Sequence, residues 1–92
     1  MYTRVTTFEA TNLAAVEAEL DTIAEKISHI PGVLSMTTAW TGEGKGISMA
    51  VYESAEAAEA AQAHAAAIWG GIMEHLAGMP LSTEYERGRK FV

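Results

Sequence analysis

IPGVLSMTTAWTGEGKGISMAVYES, running from Ile30 to Ser54, is the stretch that decides the fold. Pro31 disfavours a helical conformation in Ile30, and Gly32 tolerates the backbone angles of a turn, so a helix must end here. Val33–Trp40 then alternates Leu34, Met36, Thr38 and Trp40 against Val33, Ser35, Thr37 and Ala39, the two-residue period of a strand. Ile47–Glu53 repeats the pattern, with Ile47, Met49 and Val51 opposite Ser48, Ala50 and Tyr52. Between them, Thr41–Gly46 carries glycine at every second position, which suits a hairpin with a mobile tip. A phosphate cradle would feed a helix N-terminus, and this loop feeds a strand. Ser54 closes the stretch as an N-cap for a following helix.

The pattern extends in both directions. Upstream, Leu13, Val16, Leu20, Ile23, Ile27 and Ile30 recur at three- and four-residue steps, predicting one long helix with a buried stripe, capped by Thr11 or Asn12. Before it, Tyr2–Glu9 reads as a strand with two semi-apolar faces. Downstream, the alanine-rich run Ala55–Ala67 favours helix, with an inward stripe of Ala58, Ala61, Ala65, Ile68, Ile72 and Leu76. Gly70-Gly71 predicts a kink, a close backbone contact or a hinge in that helix, Gly78-Met79-Pro80 stops it, and Leu81–Val92 supplies a last strand and tail. The order βαββαβ predicts an α+β, ferredoxin-like domain over 1–92, a four-stranded antiparallel sheet with its helices on one face.

Composition narrows the function. A chain of 92 residues with 49% hydrophobic and 20% charged residues is ordinary for one small globular domain. Its formal charge of −6 argues against binding a phosphate backbone, so no nucleic acid is expected. No apolar run approaches the roughly 18 residues a membrane helix needs, and no basic segment followed by an apolar stretch opens the chain, so a cytoplasmic protein with no membrane contact is expected. Without cysteine there are no disulfides, thiolate nucleophiles or thiolate-held metals.

Trp40, Tyr52, Trp69 and Met73 are candidates for lining an apolar cavity between sheet and helices, where tyrosine hydroxyl and indole N–H groups would orient a planar ligand; core packing is the simpler alternative for each. His64 is the candidate acid or base for such a pocket, against a plain structural role. His64 and His75 share a helix face but lie about 16 Å apart along the axis, too far to share a metal, and no metal site is expected. Arg87, Arg89 and Lys90 cluster near the end, with Arg87 and Arg89 on one strand face, as edge protection or an anion site.

Ile30-Pro31-Gly32-Val33-Leu34-Ser35, Val51-Tyr52-Glu53-Ser54 leading into a helix that contains His64, and Leu76-Ala77-Gly78-Met79-Pro80 together resemble the antibiotic-biosynthesis-monooxygenase-like group of dimeric α/β-barrel proteins. The resemblance implies a homodimer whose two sheets pack face to face, with a pocket in each subunit for a small apolar or aromatic molecule. The sheet face bearing Tyr2, Phe8, Ser48, Ala50 and Tyr52 is expected to be the one left for the second copy. Relatives that oxidise aromatic polyketides without a cofactor use an asparagine on the third strand and a tryptophan before the Glu-Ser entry to the second helix. Ser48 and Tyr52 occupy those positions here. The enzymatic expectation is a monooxygenase-like or isomerase-like protein needing no cofactor and taking an acidic aromatic substrate, with His64 and Tyr52 in catalytic roles and Trp69, Ser48, Trp40 and Met73 around the substrate. A non-catalytic binding or interaction module is the alternative.

Overall fold

A computed structural model describes residues 1–92. Strands β1 (Tyr2–Glu9), β2 (Val33–Trp40), β3 (Lys45–Tyr52) and β4 (Leu81–Tyr85) form one antiparallel sheet in the order β2-β3-β1-β4. Helices α1 (Leu13–Ala18) and α2 (Leu20–Ser28) connect β1 to β2, and α3 (Ala55–Gly70) with a single 3₁₀ turn (Met73–His75) connects β3 to β4. All of them lie on one face, which is the expected ferredoxin-like α+β arrangement. No helix is long and apolar enough to cross a membrane.

Local chemistry explains the ends. The Asn12 side chain accepts from the Ala15 N–H at 3.2 Å and opens α1; the Ser54 hydroxyl accepts from the Ala57 N–H at 3.1 Å and opens α3. The expected first helix is interrupted at Glu19, whose N–H turns back to the Val16 carbonyl at 3.0 Å, so α1 and α2 are separated by one tightened turn. The glycine pair ends α3 instead of kinking it. The Gly71 N–H is shared between the Ala67 and Ile68 carbonyls, and the following segment is clipped to the end of β1 by Thr11 N–H to His75 carbonyl and Ala77 N–H to Glu9 carbonyl, both 2.8 Å. Ile72 and Leu76 are still buried, held there by that clip and not by helical periodicity. The hairpin loop is likewise pinned, not free: Ala10 donates to the Gly44 carbonyl at 2.7 Å.

The core is small. Ala58 and Ala61 are each 1% exposed because α3 uses methyl-sized residues to approach Ala50 and Tyr52 on the sheet. The α1–α2 stripe is less deeply buried than its periodicity predicts. Of its six apolar residues only Val16 and Ile30 are buried, and Leu20, Ile23 and Ile27 remain half-buried because a cavity lies beneath them.

Three expectations about the sheet faces are corrected. Tyr2, Phe8, Ser48, Ala50 and Tyr52 face the helices, together with Arg4 and Thr6; the uncovered face carries Thr3, Val5, Ile47, Met49, Val51 and Tyr85. The small residues Ser48 and Ala50 are what let helices pack closely on that side. A bulge between Val33 and Ser35 also breaks the two-residue period of β2, so Val33 joins Met36 beneath the helices while Leu34 is left 60% exposed. Arg87, Arg89 and Lys90 lie beyond β4, in an exposed tail along the edge of the uncovered face, so they share no strand face.

Candidate functional site

A cavity of about 60 Å³ lies between the sheet and helices α2 and α3. Its walls are almost wholly apolar, with Leu20, Ile23 and Ile27 above, Met36 below, and Ile68 and Trp69 at the side. The polar lining residues are Thr38 and Ser48, and Tyr52 adds to the wall. Thr38 and Ser48 are cross-strand partners, and their hydroxyls lie 2.7 Å apart in a hydrogen bond. One O–H of that pair is spent on the other, leaving the second to serve a ligand or the backbone.

These two hydroxyls belong to a longer row. Register places Thr38, Ser48, Thr6 and Ser82 side by side across all four strands, and Thr6 and Ser82 form a second hydroxyl pair at 2.8 Å. The next row holds the interior's one cation. Among six Lys and Arg residues only Arg4 is buried. Its Nε donates to Glu84 Oε1 at 2.7 Å, Nη1 to the Tyr52 hydroxyl at 3.4 Å and Nη2 to the Ala58 carbonyl at 3.2 Å, while its guanidinium carbon stands 5.4 Å from the Tyr52 ring centre. Glu84 also lies beside Tyr2, whose hydroxyl is held above the usual tyrosine pKa by desolvation first and by the Glu84 carboxylate second.

A second, more open cleft of about 440 Å³ runs between α3 and β4, where Arg4, Gln62, Ser82 and Glu84 reach its walls. Ala65 and Trp69 line both spaces, so the Trp69 indole stands as the partition between cavity and cleft. Phe8 steadies it at a ring-centre distance of 5.4 Å and a 54° tilt.

Of the residues singled out from sequence, the fold brings Tyr52, Ser48 and Trp69 together around the cavity, with Tyr52 only 3% exposed. Met73 lines the outer cleft instead. Trp40 sits at the end of β2, 37% exposed, with its indole N–H directed at Glu17 Oε2 at 3.3 Å, and does not reach the cavity. His64 is corrected as a pocket residue: it is exposed and outside both spaces, because one helical step of about 100° from Ala65 turns it off the inward face. No three of His, Asp or Glu gather as a metal site would require. Arg4, Thr38 and Glu84 escaped the sequence reading. An arginine in step with Tyr2, Thr6 and Phe8 along one side of a strand was the available signal for the first; the other two depend on register.

No family model matches the sequence, and no curated protein does so either. Solved structures do match. A protein of unknown function from Nitrosomonas europaea superposes with a TM-score of 0.83 at 15% identity, over 99% of this chain and 92% of its own. A monooxygenase from Streptomyces coelicolor, crystallised with nanaomycin D, gives 0.73 at 23% identity, over 99% and 90%. SnoaB, a cofactor-independent oxygenase from Streptomyces nogalater, gives 0.75 at 17% identity, over 98% and 95%. The chain has the fold of the antibiotic-biosynthesis-monooxygenase-like proteins.

Proposed function

We propose that this chain binds a small, mostly apolar aromatic molecule between its sheet and helices and supports its monooxygenation without a tightly held cofactor. The apolar cavity with a hydroxyl pair on its floor, taken together with the cleft of about 440 Å³ on the other side of Trp69, carries this reading, since 60 Å³ alone is far short of the roughly 300 Å³ of a ligand pocket. The likeness to a monooxygenase holding nanaomycin D and to a cofactor-independent oxygenase supports the reaction class. An activated ring methylene, as in anthrone, reacts with O₂ so that one oxygen atom becomes the ring carbonyl and the other leaves as water with the two methylene hydrogens. In this reading Trp69 and the apolar wall hold the ring, Ser48 donates to its oxygen, and Tyr52, whose hydroxyl meets Arg4, is the proposed proton relay. Binding without turnover is the alternative, favoured by the lack of any carboxylate or imidazole in the cavity lining.

Ala65→Leu fills the cavity from the α3 side. Oxygen uptake with anthrone is expected to fall about tenfold or more while the melting temperature holds or rises by a few degrees, since filling a void stabilises. An oxygen electrode and a thermal scan on the same preparation check both. Uptake by the wild type no faster than in buffer would discard the enzymatic reading, and ligand-induced thermal stabilisation with no uptake would establish the alternative.

The functional unit is proposed to be a homodimer through the uncovered sheet face, and a cytoplasmic one. Ile47 and Met49 are 41% and 46% exposed there, beside half-buried Val5 and Val51, an apolar patch that water disfavours. Met49→Asp would place a charge at its centre, and is expected to weaken association about 100-fold. Light scattering at micromolar concentration should then fall from twice the 9.8 kDa chain mass to that mass. A wild type already at 9.8 kDa would end the dimer proposal.

A further inference from the structure

We propose that Arg4 is an anion-binding subsite, occupied in the free protein by the chain's own Glu84, and that the ligand's carboxylate, sulfonate or phenolate head displaces Glu84 by way of the cleft between α3 and β4. It rests on the cavity being the site for the ring. Burial within the pair is lopsided. The Arg4 side chain is 10% exposed and that of Glu84 40%, on an edge strand whose residues are all exposed. Swinging Glu84 into water therefore unburies little, whereas Arg4 is fixed in place by the Tyr52 hydroxyl and the Ala58 carbonyl. A guanidinium has five N–H donors, and three of Arg4's are engaged. Glu84 takes only one of them, through Nε, so an incoming carboxylate that grips Nε and Nη2 together would form the better-matched, two-point pair.

Position relative to the cavity supplies the second argument. Arg4, Ser82 and Gln62 face the cleft, and Trp69 alone among aromatic side chains borders both cleft and cavity. In this proposal the indole turns to join the two spaces, giving one site with an apolar end under α2 and a cationic end at β4. The matching ligand is an aromatic ring bearing an anionic group, not a neutral hydrocarbon.

Two fluorescent probes test this on the full-length chain: 8-anilinonaphthalene-1-sulfonate, which is anionic, and N-phenyl-1-naphthylamine, which is neutral. Glu84→Gln keeps a carbonyl acceptor for Arg4 but removes the competing charge. It is expected to tighten sulfonate binding about tenfold and leave the neutral probe within twofold, because only the sulfonate can form a charge-assisted hydrogen bond with the guanidinium. An unchanged sulfonate affinity, or an equal gain for both probes, would overturn the proposal; the equal gain is also what a loosened fold would give. If the neutral probe fails to bind the wild type while the sulfonate gain persists, the cavity reading falls and the Arg4 anion site stands. If the neutral probe binds and the sulfonate gain is missing, the outcome is the reverse.

Discussion

Gly32→Ala is expected to lower the melting temperature by about 10 to 25 °C, a large loss for a single added methyl group. Gly32 has φ of +79°, a left-handed conformation that costs a residue with a Cβ about 1 to 2 kcal/mol. The added Cβ would also stand 2.7 Å from the Ala57 Cβ, inside the first turns of α3, which adds about 1 to 3 kcal/mol of overpacking. The Glu53 N–H donates to the Gly32 carbonyl at 3.0 Å, so the turn and the entry to α3 cannot separate to relieve the clash. Circular dichroism during heating measures the loss. Ala57→Gly added to Gly32→Ala should recover only the steric share, and full recovery would show that the backbone conformation contributes nothing.

Arg4→Met is expected to cost about 2 to 3 kcal/mol, read as a melting temperature about 10 to 20 °C lower. The replacement keeps the apolar stem, so the loss is polar. The buried Tyr52 hydroxyl loses its donor, the Ala58 carbonyl loses a second one, and Glu84 loses the cation that compensates it. Because Glu84 can hydrate, the cost falls below that of stranding a fully buried charge. A loss under about 1 kcal/mol would mean that desolvating the guanidinium cancels what its partners return. The same asymmetry makes Glu84→Gln the gentler change, since Arg4 keeps the Tyr52 and Ala58 acceptors and an amide carbonyl takes the place of the carboxylate oxygen.

Much of the fold was legible in the residues alone. Ile30-Pro31-Gly32, the Asn12 and Ser54 caps, and the glycine-rich hairpin act over a few residues, and each forms where local chemistry put it. The Gly70-Gly71 pair was recognisable as a disruption, but whether it kinks or ends a helix depends on what waits to receive the chain; here Glu9 and Thr11 at the end of β1 do. The candidate site was half legible. Tyr52, Ser48 and Trp69 converge on the cavity: strand alternation puts Ser48 and Tyr52 on one face, which packing made the inner one, and helical period turns Trp69 inward. His64 and Trp40 do not, since a helix face is narrow and a strand end can project past the helices above it.

The order of elements, their caps and their stops are written in the chain itself, because they rest on backbone preferences and interactions within a turn or two. Which side of the sheet the helices cover is a matter of three-dimensional packing. Alternation gives two faces without saying which is inner, and here the small residues Ser48 and Ala50 won the inside because α3 can approach them closely, leaving Ile47 and Met49 outside. The pairing of Arg4 with Glu84, eighty positions apart, likewise exists only once β4 adds to the edge of β1 in one register, since a charge can find its partner only after folding has set the distance between them.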